Sequence, residues 1–252
     1  MENITSRKNP YIVRLRNLAA DARYRTETRE FVCDGLKMME EAAAAGREIR
    51  SVLWKEVPSE AASAPFLKGA EQYCCPKELF DYASPMVNSP GPVFTVAMPE
   101  EAPAGELKNA IVLENVQDPG NVGTVIRTAA AFETGAVILC GSCADVYNPK
   151  TVRSTMGAIF RQRVIAATRE EVRMIADENG LKLFGAVLSE RAKDIRDFEL
   201  KKAIVAVGSE GKGLSREFIE MCDREIIIPM SPQSESLNAA VAASVIMWEM
   251  YR

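Results

Sequence analysis

The sequence predicts an α/β protein in two parts: a C-terminal domain built on a parallel sheet with helices on both faces, and a small α/β domain before it. Three observations lead there. Beyond residue 107, apolar runs at Ala110–Leu113, Ala136–Cys140, Arg163–Ala166, Leu183–Leu188, Ile204–Val207 and Ile226–Ile228 alternate with stretches of helical periodicity. Such strands, separated by helices, mark a sheet covered on both faces. Shorter runs alternate likewise before residue 98, and Pro99-Glu100-Glu101-Ala102-Pro103-Ala104-Gly105-Glu106 between the two is polar and proline-bearing, as linkers are. The expected organisation is a first domain over 1–98, a linker over 99–106 and a second domain over 107–252.

In the first domain, Thr5 to Ala20 sets Ile12, Leu15 and Leu18 among arginines, predicting a basic amphipathic helix. Phe31 to Gly35 reads as a short strand and turn, and Leu36 to Ala45 as an alanine-rich helix closed by Gly46. Ile49 to Val57 suits a strand, Pro76 to Tyr82 a short helix, and Val93 to Met98 a further strand.

The second domain holds three stretches in which a strand runs into a polar turn and then a helix. After Ala110–Leu113, the turn Asp118-Pro119-Gly120-Asn121 ends in a candidate helix cap. Val122, Val125, Ile126, Ala129 and Ala130 then share one helix face, and Gly135 supplies a stop. A helix N-terminus over a strand's carboxyl end favours an anion. Arg127, about two turns in, leans back toward the spot that Asn121 reaches. On this stretch alone, an ordinary strand–loop–helix with a surface arginine fits as well. The second stretch runs from Ala203 through Gly208-Ser209-Glu210-Gly211-Lys212-Gly213 to Leu214-Ser215. The third runs from Glu225-Ile226-Ile227-Ile228-Pro229-Met230 through Glu235-Ser236-Leu237-Asn238 into a final helix.

Together, and in this order, the three stretches resemble the signature motifs of the SpoU (TrmH) family of RNA ribose 2'-O-methyltransferases in the SPOUT superfamily. The likeness covers about Leu107 to Arg252. It implies a deep trefoil knot formed by the C-terminal segment, S-adenosylmethionine held in that knot, and a homodimer made through the last helix. On the last helix, Leu237, Val241, Val245 and Trp248 form an apolar stripe, which core packing would also explain. The resemblance assigns Asn121, Arg127, Glu210, Ser236 and Asn238 to catalysis and to shaping the site. For the cofactor it points to Val187, Leu188, Gly208, Ser209, Glu210, Gly211, Ile228, Met230, Ser236 and Leu237. Glycines 208, 211 and 213 are expected where backbone approaches the ligand closely. Free guanidinium does not deprotonate at neutral pH, so the role expected of Arg127 is to grip phosphate and favour the developing alkoxide.

The first domain is similar to the ribosomal-protein-L30-like substrate-binding domain found before the catalytic domain in this family. Phe31 to Gly35 and the Ser89-Pro90 approach to the last strand carry that likeness. The chain departs from the family at Gly91-Pro92 and again at Pro232.

Composition limits the alternatives. The chain has 252 residues, 47% hydrophobic and 26% charged, with a formal net charge of −4. A net negative charge is unusual for a protein that meets a polyanion, so distribution matters more than the total. Arginines crowd Arg7 to Arg29, and Lys150, Arg153, Arg161 and Arg163 form a second group. Arg7, Arg16, Arg25, Lys150 and Arg153 are the candidate RNA contacts, against the plainer reading of solvated helix faces. The sequence contains no histidine, which removes the commonest general base and metal ligand. Cys140-Gly141-Ser142-Cys143 lacks the further ligands that a zinc site needs. The glycine-rich 208–213 turn lacks the spacing of a phosphate-binding P-loop. No metal and no membrane association are expected, and six cysteines without an apolar leader fit a reduced cytoplasm. Ribosomal RNA is the expected substrate. A tRNA 2'-O-methyltransferase, a base methyltransferase and a non-catalytic ribosome-assembly factor are the competing readings.

Overall fold

The computed structural model describes residues 1–55, 60–100, 105–231, 233 and 235–252. Glu56 and Val57 of the expected strand, residues 101–104 of the expected linker and Pro232 lie outside these. The chain forms two compact units, Met1–Glu101 with Tyr147–Phe160, and Ala102–Val146 with Arg161–Arg252. The segment Tyr147–Phe160, expected in the second domain from its place in the chain, is thus grouped with the first unit.

The first unit runs β1 (Glu2–Asn3), α1 (Pro10–Ala20), α2 (Ala22–Thr28), β2 (Glu30–Asp34), α3 (Leu36–Ala44), β3 (Ile49–Lys55), β4 (Glu71–Cys75), α4 (Lys77–Ala83) and β5 (Val93–Ala97). Its five-stranded mixed sheet has the order β1-β4-β3-β5-β2. The expected basic helix starts at Pro10 rather than Thr5, because the Asn9 side chain accepts from Tyr11 N at 2.8 Å and Pro10 takes the first helical position. Asp21 then breaks the arginine-rich stretch into a second helix by accepting from Arg23 N and Tyr24 N. Ile12, Leu15 and Leu18 are fully buried against Val32, Leu53 and Phe80.

The second unit contains β6 (Ala110–Glu114), α5 (Pro119–Ala131) and β7 (Ala136–Cys140). The chain next passes through α6 (Pro149–Ser154), which lies in the first unit's segment. It continues as β8 (Val164–Ala167), α7 (Arg169–Glu178), β9 (Lys182–Ala186), β10 (Lys193–Asp194), β11 (Ala203–Gly208), α8 (Arg216–Glu220), β12 (Arg224–Ile227) and α9 (Ala239–Tyr251). The seven-stranded sheet has the order β10-β12-β9-β11-β6-β7-β8, and every pairing is parallel. Ile111, Val112, Ile204 and Val205 are fully buried in its two central strands, as expected of a sheet covered on both faces.

From β6 the chain builds outward through β7 and β8; on the other side of β11 lie β9 and β12. The direction of winding therefore reverses between β6 and β11. In open α/β sheets a crevice forms outside the carboxyl ends of the strands at such a switch point. The Asp118–Asn121 turn follows β6 and the 208–213 turn follows β11, so local sequence and topology bring both to that crevice. After β12 the chain enters α9, which packs against α5 and β11.

Candidate active site

Beside the carboxyl ends of β9, β11 and β12 lies a cavity of about 440 Å³. Every residue expected to hold the cofactor lines it: Val187, Leu188, Gly208, Ser209, Glu210, Gly211, Ile228, Met230, Ser236 and Leu237. Two of the glycines have reasons beyond room for a ligand. The 209–213 turn folds back on itself, with Gly213 N donating to Ser209 O at 2.8 Å. A Cβ at Gly208 would fall 2.0 Å from the Gly213 carbonyl carbon, and Gly213 has φ +65°. At these two positions the turn itself demands glycine. Gly211 has open space around its missing Cβ.

Three of the polar residues form one chain of hydrogen bonds. Asn238 Nδ2 donates to Asn121 Oδ1 at 3.2 Å, and Asn121 Nδ2 donates to Glu210 Oε1. Both ends of the Asn121 amide are thus committed to protein partners, and it ties the start of α5 to the 208–213 turn and to the start of α9. Asn238 also caps α9 by accepting from Ala240 N at 3.0 Å and Val241 N at 3.3 Å. Asp118 caps α5, accepting from Gly120 N at 2.6 Å and Asn121 N at 3.1 Å.

Sequence reasoning missed a second brace. Glu114 ends β6 and is buried. Its carboxylate accepts from Ser215 N at 2.7 Å and from Ser215 Oγ at 2.6 Å. Arg169 approaches the same carboxylate at 3.8 Å and donates to Ser215 Oγ at 3.1 Å. The clamp fixes the far end of the glycine turn to the neighbouring strand. Its only signal in the sequence is an acidic residue closing the apolar run Ala110–Leu113.

Arg127 is not part of this cluster. It lies on the exposed face of α5 with Thr124 and Ala131, and makes no hydrogen bond or ion pair among the described residues. It comes six positions after Asn121, which places the two side chains roughly 120° apart around the helix. The backward lean of helical side chains does not close that angle. The apolar stripe expected on the last helix is also redistributed. Ala239, Ala243, Ile246, Met247 and Met250 form the buried face of α9, whereas Val241, Val245, Trp248 and Tyr251 are exposed. Trp248 and Tyr251 gather around Phe132, with ring centroids 5.6 and 5.7 Å from it.

Comparisons with known proteins give the chain's family. Residues 108–248 match the model of the SpoU rRNA Methylase family, and residues 9–93 match an MRM3-like substrate binding domain. The chain belongs to the SpoU rRNA methylase family. It is 32% identical over 257 residues to the Bacillus subtilis 23S rRNA (guanosine(2553)-2'-O)-methyltransferase RlmP, covering 99% of each chain. It is 29% identical to the 23S rRNA (uridine(2479)-2'-O)-methyltransferase of Streptomyces viridochromogenes, covering 99% of this chain and 91% of that one. Among solved structures, the AdoMet-bound rRNA methyltransferase from Sinorhizobium meliloti superposes with a TM-score of 0.88 at 26% identity, covering 99% and 97% of the two chains.

As a SpoU methylase the protein uses S-adenosylmethionine. The cavity suits that group, being of ordinary size for a small-molecule site. Val187, Leu188, Ile226 and Leu237 offer aliphatic walls for a purine, while Ser209, Glu210, Glu225 and Ser236 supply the polar groups for hydroxyls and a cationic centre. The paired cysteines of this SpoU methylase are structural in their surroundings. Cys140 is buried, burial pushes its thiol up to about 11, and Cys143 Sγ donates to Leu113 O at 3.1 Å.

In the first unit, the arginine cluster divides into two groups. Arg25 is buried and donates to Leu18 O at 2.6 Å, so it holds the end of α1 and does not face solvent phosphate. Arg14 pairs with buried Glu30, and Arg23 pairs with Glu27. Arg7 and Arg16 instead lie over the Tyr82 ring, 4.5 and 4.9 Å from its centroid. Arg16, Lys150 and Arg153 line one groove of about 550 Å³. Of the five candidate RNA contacts, these three are brought together; Arg7 stands beside them through Tyr82, and Arg25 is withdrawn.

Proposed function

We propose that the chain transfers a methyl group from S-adenosylmethionine to a ribose 2'-hydroxyl of RNA, with 23S ribosomal RNA as the substrate. The observation that carries this is the cavity beside the carboxyl ends of β9, β11 and β12, lined by every residue expected to hold the cofactor. It is joined through Glu210 to the Asn121–Asn238 hydrogen bonds. Bound there, the cofactor supplies an electrophilic methyl on a sulfonium. The 2'-oxygen would form the new bond to carbon as the carbon–sulfur bond breaks, leaving a neutral thioether, and the hydroxyl proton would pass to water.

The residues supply positioning and charge. The Asn238–Asn121–Glu210 chain holds three motif turns in one arrangement, which is worth much when two bound reactants must align. Arg127 binds the phosphate of the target nucleotide, and its charge favours the alkoxide as it develops. Because Arg127 points away from its own cluster, this reading includes a homodimer in which Arg127 serves the partner's site. The exposed Val241, Val245, Trp248 and Tyr251 side chains of α9 support that assembly, since apolar side chains grouped on one helix face mark interaction sites. A knotted C-terminal segment is part of the same reading, supported by the packing of α9 on α5 and β11. Among the described residues no helix is long and apolar enough to cross a membrane, and action on ribosomal RNA in the cytoplasm fits that.

The two named relatives modify a guanosine and a uridine, so likeness to them does not fix the base. The test compares ribosomal RNA and tRNA from cells with and without the gene by partial alkaline hydrolysis. A 2'-O-methyl blocks cleavage at its own linkage. One cleavage gap in 23S rRNA that disappears with the gene is the expected result; unchanged 23S rRNA overturns the assignment.

A further inference from the structure

The first unit contains a pocket that the methyl-transfer site does not use. It encloses about 280 Å³ where the end of β2 meets the 85–90 loop and α6. Met86, Val87, Pro149, Val152 and Met156 provide apolar walls, and Asp34 and Arg153 also line it. The apolar side chains at its mouth lack cover: Val87 is 89% exposed and Met156 is 49% exposed. Asp34 is held in place, with Ser84 Oγ donating to its Oδ2 at 3.0 Å and Ser89 bonding it as well. Burial pushes its carboxyl up from the usual range. Hydrogen-bond donors from a ligand would offset that by favouring the charged form.

The pocket shares a wall with the basic groove. Pro85, Met86, Val87, Pro149 and Arg153 line both, and the groove adds Arg16 and Lys150. The two spaces differ in the chemistry they accept. The groove presents Arg16, Lys150 and Arg153 with no carboxylate among its described lining residues and suits phosphate, whereas the pocket sets the Asp34 and Glu41 carboxylates beside Lys37 and Arg153 and so presents acceptors as well as cations. A flat apolar body with N–H donors on its edge fits the pocket. A single strand of RNA offers this alternation, with a charged backbone and unstacked bases whose edges can be read.

We propose that this pocket takes one unpaired guanine of the RNA substrate, with the backbone beside it lying in the Arg16–Lys150–Arg153 groove and Asp34 accepting from the base's N1–H and N2–H groups. The proposal rests on the RNA-methyltransferase reading. Guanine is the base with two adjacent donors on its Watson–Crick edge, matching the two oxygens of a carboxylate. Uracil sets a carbonyl on each side of its single N–H and is disfavoured by the same carboxylate. Thioether and valine walls give the base an apolar surface to lie against.

The test uses the full chain and short single-stranded RNAs of equal length, identical except for a central G, A, C or U, with binding followed by fluorescence anisotropy at one salt concentration. The G oligomer is expected to bind about tenfold more tightly than the U oligomer, in line with a bidentate base contact. Asp34→Asn is expected to abolish that preference, while Arg16→Ala with Lys150→Ala weakens all four alike and leaves the preference intact. Val87→Ser alters an exposed side chain, so folding is not at stake, and it should cut the preference several-fold. Equal binding of all four oligomers, or a preference that survives both Asp34→Asn and Val87→Ser, overturns the pocket assignment while leaving the RNA reading standing. No binding of any oligomer overturns both.

Discussion

In the second unit, the polar residues at the strand ends are spent on one another. Asn238 donates to Asn121, Asn121 donates to Glu210, and Glu114 holds both the amide and the hydroxyl of Ser215. In the first unit, Arg7 and Arg16 lie against an aromatic ring, and Lys150 and Arg153 stand exposed along a groove. A site that must align two reactants within a fraction of an ångström benefits from side chains fixed in advance. A surface that meets a large polyanion gains from long side chains that keep their reach, and phosphate contacts add up without strict geometry. Substitutions should accordingly act on rate or cofactor binding in the second unit and on RNA affinity in the first.

The largest effect tests the one residue that breaks this pattern. Arg127 sits in the second unit but is exposed and outside the hydrogen-bonded cluster. Arg127→Ala leaves no cavity and should preserve both the fold and S-adenosylmethionine affinity. It is expected to lower single-turnover methyl transfer by about a hundredfold or more, as loss of one preorganised charge-stabilising donor does. Arg127→Lys should rescue little, because an ammonium cannot reproduce the planar fork. If Arg127 serves the partner's site, mixing Arg127→Ala chains with chains carrying Asn121→Ala should restore part of the activity that each lacks alone. Near-wild-type transfer by Arg127→Ala would remove it from the chemistry.

A smaller effect is expected at the clamp that carries the glycine turn. Glu114→Ala removes two hydrogen bonds to a buried carboxylate, costing on the order of 3 kcal/mol, somewhat less because Ser215 is only partly buried. For a chain of this size that corresponds to a fall in Tm of roughly 5–10 °C. Cofactor affinity should fall with it, since the turn that begins at Gly208 lines the cavity wall as far as Leu214, beside the clamped Ser215. Unchanged affinity by calorimetry would show that the turn keeps its shape without the clamp.

What the sequence disclosed follows the same division. In a parallel sheet the carboxyl ends of neighbouring strands must share one edge. Motifs written after β6 and β11 and before α9 are therefore bound to meet, whereas which residues line the cofactor cavity comes from the resemblance to the family and not from the turns. The angular position of Arg127 is lost when lean along a helix is weighed without rotation around it. The strand Glu71–Cys75 escapes notice because its apolar part, Tyr-Cys-Cys, is only three residues long after Glu-Gln, and α2 because the cap at Asp21 lies hidden in an arginine-rich stretch. The groove is illegible for a different reason. Arg16, the 85–87 turn and Lys150–Arg153 come from distant parts of the chain, and no spacing links them. Arg25, in contrast, reads like any other surface arginine, and only its burial against the Leu18 carbonyl sets it apart.

The smallest effect lies in that groove and sharpens the comparison most directly. If Arg16 and Lys150 neutralise phosphates, each replacement by alanine should weaken RNA binding several-fold without changing cofactor affinity. The slope of log K against log salt should shrink by about one for each phosphate left without its cation. Arg25→Ala offers the internal control: a buried side chain that supports α1 should lower Tm and leave the salt slope as it was, because it neutralises no phosphate. The measurement is RNA affinity at several salt concentrations for the wild type, Arg16→Ala, Lys150→Ala and Arg25→Ala. A slope unchanged in the first two variants would show that the groove is a solvated face, whereas a slope reduced in Arg25→Ala would mean that the helix end opens to bind RNA and that its burial is not its role.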